Sequence, residues 1–378
     1  MIVKCKRDSL HDAVITVGRA AAGVQSPLPI LQHVMLRTVD NCLSLFATDS
    51  ELASLTSLPV VGDLSEPIAV PAKQFGEILN SLPDGEVALE VGSRHTLILR
   101  MGDIRFDVKG LPPEEFPSIP MVYTPGDNTP ELDIDQATIR RMLRQTLFSV
   151  SQDAPRVQYT GVLFEQDSDV LRLVSSDGAV RVAVASAAVP PAEHSISAIV
   201  PARALVEFAR ILRADGEGRA VIHFRDDLAG PTLASFEANG VTLISRLIEG
   251  QFAPWRRVVP KTWTERATVK CGEMLGSLRR MAIVARDDQQ RVQLCLKGDV
   301  LEMRCQSTII GEAEERTFAL GEGEELIIAL HGRYLAEGIA ALEEEGCYLE
   351  FTTSLSPCVV RPLTGDSYLY VQSPMHLR

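Results

Sequence analysis

Val70-Pro71-Ala72-Lys73-Gln74-Phe75 is written again as Val200-Pro201-Ala202-Arg203-Ala204-Leu205, and more loosely as Ala329-Leu330-His331-Gly332-Arg333-Tyr334-Leu335. The copies lie about 130 residues apart, far beyond the short periods of solenoids, so the repeating unit is a whole domain. Other features recur in the same order. Val3-Lys4-Cys5 before a first helix returns as Val269-Lys270-Cys271. A strand entering a polar turn, Leu43-Ser44-Leu45-Phe46-Ala47-Thr48-Asp49, returns as Leu171-Arg172-Leu173-Val174-Ser175-Ser176-Asp177. Its third version, Leu301-Glu302-Met303-Arg304-Cys305-Gln306-Ser307, lacks the aspartate. Each copy then closes in strands, at 96–100, 232–236 and 358–361. Order, spacing and type agree across three copies, which chance likeness of single segments does not produce. Three like domains in a row imply a protein whose shape is its function.

Each copy reads as helix, strands, helix, strands. Leu10, Ala13, Val14 and Val17 fall at helical spacing, as do Ile139, Met142, Leu143 and Thr146, and Leu275, Leu278, Met281, Ala282 and Ala285. The second helices show Phe75, Ile78, Leu79 and Leu82, then Leu205, Phe208, Ala209 and Leu212, then Leu335, Ile339 and Leu342. Each stripe buries one helix face against a sheet. Short β-branched segments such as 87–91 and 221–224, with turns at Asp84-Gly85 and Ala238-Asn239-Gly240, predict hairpins and antiparallel sheets. The fold class is α+β. Proline-dense stretches at 110–117, 124–130 and 247–260 mark boundaries, giving domains 1–123, 129–252 and 262–378.

The 378 residues are long for one core and suit three domains of roughly 125 residues each. No apolar run reaches the length of a spanning helix, and no secretory leader opens the chain, so a cytoplasmic location is expected. The seven cysteines show no CxxC pair and read as reduced, small apolar residues. The formal charge of −13 argues by itself against nucleic acid, because phosphate contacts need Lys and Arg. Its distribution reverses that argument. The six helical segments sum to about +5, which leaves about −18 elsewhere. Arg140, Arg141, Arg144, Arg203, Arg210, Arg213, Arg279, Arg280 and Arg286 carry most of the excess. For any one arginine a solvated helix face is an equal reading; together they can present one type of helix to a polyanion.

Catalytic machinery is absent from the pattern. There is no P-loop, no GxGxxG after a strand, no HExxH and no GxSxG, and the seven histidines lack metal-ligand spacing. Asp49 and Asp177 occupy matching turns, which favours turn capping over paired catalytic carboxylates. No catalytic residue, metal or cofactor is expected.

Leu28-Pro29-Ile30-Leu31, Val70-Pro71-Ala72-Lys73, Leu111-Pro112 with Phe116-Pro117, Ser176-Asp177-Gly178 with Arg181, Leu247-Ile248-Glu249-Gly250-Gln251-Phe252 with Arg256-Arg257-Val258, and Tyr370-Val371-Gln372-Ser373-Pro374-Met375 resemble the bacterial DNA polymerase III beta subunit family. The resemblance implies three tandem clamp domains, each two helices on antiparallel sheet. Two chains would close head to tail into a ring around duplex DNA and act as a processivity factor without enzymatic activity. It implies DNA contacts from Gln25, Lys73, Arg140, Arg144, Gln152, Arg156, Arg203, Arg210, Arg279 and Arg280. It implies a ring-closing homodimer interface with Lys73, Arg105 and Phe106 on one side and Ile283, Val284, Glu312, Glu314 and Glu315 on the other. It implies a hydrophobic pocket for linear peptides of polymerases, the clamp loader and repair proteins, at Tyr159, Ser176, Gly178, Arg181, Val182, Pro254, Val258, Val371, Ser373, Pro374 and Met375. Gln25 stands where the family commonly has a basic residue, and Ser373 where it usually has methionine.

Two other readings are weaker. A three-domain enzyme lacks any motif for its chemistry. A protein-binding adaptor that ignores DNA leaves the clustered helical arginines without a purpose.

Overall fold

In the computed structural model, residues 1–118, 122, 131–191, 195–227 and 230–377 are described. The proline-rich stretch 124–130 and Arg378 lie outside them. The first copy runs β1 (Ile2–Lys6), α1 (Arg7–Gly18), β2 (His33–Val39), β3 (Cys42–Thr48), β4 (Leu52–Pro59), β5 (Ile68–Pro71), α2 (Ala72–Ser81), β6 (Glu86–Gly92), β7 (Thr96–Met101) and β8 (Ile104–Lys109). The second repeats that order: β9 (Glu131–Asp135), α3 (Gln136–Leu147), β10 (Gly161–Asp167), β11 (Val170–Ser176), β12 (Arg181–Ala188), β13 (Ile196–Pro201), α4 (Ala202–Ile211), β14 (Arg219–Asp227), β15 (Gly230–Ala238) and β16 (Val241–Arg246). The third adds one short strand: β17 (Glu265–Lys270), α5 (Cys271–Val284), β18 (Arg291–Lys297), β19 (Val300–Ser307), β20 (Gly311–Phe318), β21 (Leu320–Glu322), β22 (Leu326–His331), α6 (Gly332–Ala340), β23 (Gly346–Phe351), β24 (Cys358–Pro362) and β25 (Tyr368–Gln372).

Each copy opens on a strand, where the sequence reading expects a helix. Val3 and Cys5 alternate with exposed neighbours, as Leu132 and Ile134 do, and this period of two selects a strand. Asp84-Gly85 is likewise no hairpin; it joins α2 to β6, where the Arg7 N–H donates to the Gly85 carbonyl at 2.8 Å. Asn239 (φ 53°) and Gly240 (φ 76°) do form the tight β15–β16 turn.

The chain divides into two compact units, Met1–Gln136 with Val206–Leu247, and Ala137–Leu205 with Ile248–Arg378. The first unit holds the sheets β1-β6-β7-β8 and β5-β2-β3-β4-β16-β15-β14-β9. The second holds β13-β10-β11-β12-β25-β24-β23-β17-β21 and β20-β19-β18-β22. Every named pairing is antiparallel. The middle copy is shared between the units because its two sheets each continue a neighbour's: β16 pairs with β4, and β12 with β25.

Helix α2 shows how the sequence sets these cores. Phe75 and Leu79 recur at helical spacing and are fully buried among Leu10, Val14, Val70 and Leu89. Each such side chain stabilises the fold by about 1.5–3 kcal/mol, and Phe75→Ala is expected to cost about 3–5 kcal/mol. Leu82-Pro83 ends the helix, since the residue before proline is driven extended. Leu335 and Ile339 of α6 do the same work in the second unit, against Met274, Leu278 and Tyr370. All seven cysteines are free thiols.

Candidate peptide pocket and ring-closing edges

The β11–β12 turn is built by its own side chains. Asp177 Oδ1 accepts the N–H groups of Ala179, Val180 and Arg181 at 3.0, 2.8 and 3.1 Å. Ser176 Oγ accepts the Gly178 N–H at 3.0 Å and donates to the Arg181 carbonyl at 2.8 Å. Asp177 therefore caps its turn, as its place in the repeat predicts. Gly178 sits at φ 75°, and a Cβ there would lie 2.6 Å from the Tyr159 ring. Only glycine lets the ring lie against the turn.

Tyr159 meets Phe252 edge to face, with ring centroids 5.5 Å apart. Behind them, Val182 and Val371 are cross-strand partners buried among Leu163, Val184 and Val359. The short helical turn Trp255–Arg257 presents Trp255 and leads into Val258. The Arg256 guanidinium covers the Trp255 ring at 4.4 Å and is held bidentately by Glu165 at 3.0 and 2.8 Å. The result is a cavity of about 310 Å³, at the small end for ligand clefts.

Tyr159, Ser176, Gly178, Arg181, Val182, Pro254, Val258, Val371 and Ser373 line this cavity. Pro374 and Met375 do not, because the Met375 N–H donates to the Ala329 carbonyl at 2.8 Å and carries the chain end to β22. The sequence reading omits Phe252, Trp255 and Arg257, which line it too. Their signal is two aromatics inside the proline-dense stretch 247–260, which the sequence reading treats as a domain boundary. Arg181 is a fixed wall: it donates to Glu337 at 2.5 Å, lies 3.4 Å from Asp177 Oδ2 and stacks 4.0 Å over the Tyr334 ring. Arg156, read as a DNA contact, donates to the Gly178 carbonyl at 3.0 Å and so stands at the pocket turn. Gln152 is exposed nearby in sequence.

The other basic candidates are exposed on helices. Arg140 and Arg144 share a face of α3, one turn apart, and Arg144 pairs with Glu343. Arg203 and Arg210 lie on α4, with Arg210 held by Glu207 at 2.5 Å. Lys73 is in the first turn of α2, and Gln25 is in the loop after α1. Arg279 is exposed on α5, whereas Arg280 is committed to Glu315. Arg280 Nε donates to Glu315 Oε2 at 2.8 Å and Ser277 Oγ to Oε1 at 2.6 Å. These bonds, the guanidinium's first, hold the Glu315 carboxyl down to about 2.

Each side of the expected dimer contact includes an edge strand. β8 closes one side of the first unit's small sheet and carries Arg105 and Phe106; Arg105 is held bidentately by Asp107 at 2.8 and 3.0 Å. β20 closes one side of the second unit's small sheet and carries Glu312, Glu314 and Glu315; it packs against α5, which carries Ile283 and Val284. An edge strand offers unpaired backbone groups to another chain. Among the described residues no group of His, Cys, Asp and Glu is placed to hold a metal, and no helix is long and apolar enough to cross a membrane.

Comparison with known proteins agrees along the whole chain. Sequence models of the DNA polymerase III beta subunit match in order: the N-terminal domain at residues 1–120, the central domain at 133–254 and the C-terminal domain at 256–376. The beta sliding clamp of Proteus mirabilis is 30% identical over 362 residues, 94% of each chain. That of Synechococcus elongatus is 29% identical over 387 residues, 100% of each. A DNA polymerase sliding clamp from Bacillus subtilis superposes with a TM-score of 0.92 at 24% identity, covering 100% of both chains, and shows the same fold. The DNA polymerase III subunit beta from Pseudomonas aeruginosa does so at 0.89 and 26%, again over 100% of both. A repeat of three like domains, helical arginines, an apolar pocket and full-length similarity converge: the chain belongs to the DNA polymerase III beta subunit family, the beta sliding clamps.

Proposed function

We propose that two copies of this chain close head to tail into a ring around duplex DNA, each contributing domains 1–123, 129–252 and 262–378. The ring tethers the replicative polymerase and does no chemistry of its own. The observation that carries this reading is the pair of open edge strands, β8 with Arg105 and β20 with its three glutamates. A head-to-tail contact must close after two copies or it makes fibres, and opposite charge flanking apolar residues sets that register. Arg105 and Glu315 already have partners within the chain. A guanidinium has five donors, so Arg105 can add an acceptor without leaving Asp107.

Sequence-blind phosphate contacts from Arg140, Arg144, Arg203, Arg210 and Arg279, with Gln25 and Gln152, suit sliding, because retention rests on topology rather than affinity. The pocket between Tyr159, Trp255 and Val371 would take apolar side chains of linear peptides from polymerases, a clamp loader and repair proteins. Such work belongs in the cytoplasm.

The test is retention on DNA. The protein is loaded by a clamp loader onto nicked circular plasmid, the complex is isolated, and half is linearised. Retention on circles with loss after cutting is the expected result. Equal retention on both forms means ordinary binding and ends the ring mechanism.

A further inference from the structure

Two apolar features bear on ring closure. One is the hairpin tip between β19 and β20. Ser307 and Gly311 face each other in register, with Thr308-Ile309-Ile310 between them. Ser307 Oγ accepts the N–H groups of Ile309 and Ile310 at 3.1 and 3.0 Å. The backbone is thereby fixed with both side chains outward: Ile309 is 80% exposed and Ile310 54%. Gly, Asn, Asp and Ser dominate solvated turns; two isoleucines there are unpaid apolar surface.

The other is a cavity of about 560 Å³ formed by α1, α2 and the loop between α1 and β2, walled by Val14, Ile15, Ala21, Ala22 and Val24, with Lys73 in its lining. Val24 is 83% exposed. Its loop is held by Gln32 Nε2 donating to the Val24 carbonyl at 3.4 Å and by the Ala22 N–H donating to the Leu31 carbonyl at 2.8 Å.

We propose that the Ile309–Ile310 tip of one copy seats in the α1–α2 cavity of a second copy and is the apolar anchor of ring closure. This rests on the ring-closing reading above and adds a contact to it. Continuity carries the inference first. Lys73 belongs both to the cavity and to the basic side of the expected interface. Glu312 follows Ile310 by two residues, about 7 Å along an extended strand. An ion pair between Glu312 and Lys73 of the second copy therefore delivers the tip to the cavity. Charge complementarity agrees. The strand that follows the tip carries Glu312, Glu314 and Glu315, while the cavity is lined by Arg19 and Lys73 and by no carboxylate. The site also suits a second copy better than a small polar ligand, since its walls are mainly aliphatic.

The test is the dimer dissociation constant of the full chain, from mass photometry over a dilution series. Ile309→Ser and Val24→Ser are surface changes that leave the cores intact. Each is expected to weaken the dimer about tenfold or more. The double variant is expected to lose about as much as either single, because both remove one contact. Leu355→Ser, at a position 78% exposed on the β23–β24 turn, is expected to change nothing. Unchanged or additive constants, in a chain whose dimer is broken by Ile283→Asp, overturn the anchor and leave the ring-closing reading standing. A chain that stays monomeric, or whose dimer ignores Ile283→Asp, overturns both.

Discussion

The turns at 177–180 and 307–310 are capped in the same way and present different side chains. In both, the first side chain accepts the N–H groups two and three residues on: Asp177 from Ala179 and Val180, Ser307 from Ile309 and Ile310. Asp49 does so in the first copy, with Glu51 and Leu52. The middle turn then spends its second residue on a glycine that admits the Tyr159 ring and makes a pocket wall. The third turn holds isoleucines out from the surface. A cap needs only an oxygen at the right place, so the repeat keeps the capping bonds while the backbone changes: Ser50 and Gly178 sit at positive φ, and in the third copy the positive φ falls on Gly311. The capped residues are free to diverge, and the surfaces they present diverge there.

The largest break in this comparison is expected from Gly178→Val. It keeps the Asp177 carboxylate but forces a branched side chain, at a φ that valine resists, into Tyr159. Binding of a short fluorescent peptide bearing leucine and phenylalanine, followed by polarisation, should fall about a hundredfold, or ~3 kcal/mol. A loss under about threefold would mean that the turn is not a wall of the peptide site. Next come the caps themselves. Asp177→Ala removes an acceptor of three N–H groups that also faces Arg181, and should cost about 2 kcal/mol in urea unfolding. Ser307→Ala removes two neutral hydrogen bonds and should cost about 1 kcal/mol. Equal losses would show that the charge on Asp177 adds nothing to the turn.

How much of this was legible follows from the range of each interaction. The fold class came from periodicity and repetition, which are local, and the capping aspartates came from their matched places in the repeat. The opening strands were misread because five residues of alternation, as in Ile2–Lys6, are a weak signal beside a twelve-residue helix. The third turn's cap was invisible because serine replaces aspartate while keeping the acceptor. Phe252 and Trp255 fall in a stretch that reads as a domain boundary, because nothing local says that Tyr159, about ninety residues earlier, lies across from Phe252. Arg280 and Glu315 were assigned to different surfaces, DNA and dimer, although they pair directly. A helical pattern tells which face of α5 is buried and not which strand passes beside its exposed face.

That last pair gives the smallest effect. Glu315 is held down to about 2 by Arg280 and Ser277, so its folded value lies below its unfolded one. The charged form is therefore the stabilising one. Its contribution is complete above the ordinary carboxylate range and drains away as pH falls through that range toward about 2. Glu315→Gln keeps the shape and loses the charge. The stability gap between wild type and variant should be constant from about pH 7 to about pH 5 and close as pH approaches 2. The gap itself is expected to be small, because Arg280 is largely exposed and solvent screens the pair. Measured on dilute monomer, the gap reports the intrachain pair alone. If it widens when the protein is concentrated into dimer, β20 exchanges part of that pairing with a second copy, and the third copy's hairpin is an interface element along its strand as well as at its tip.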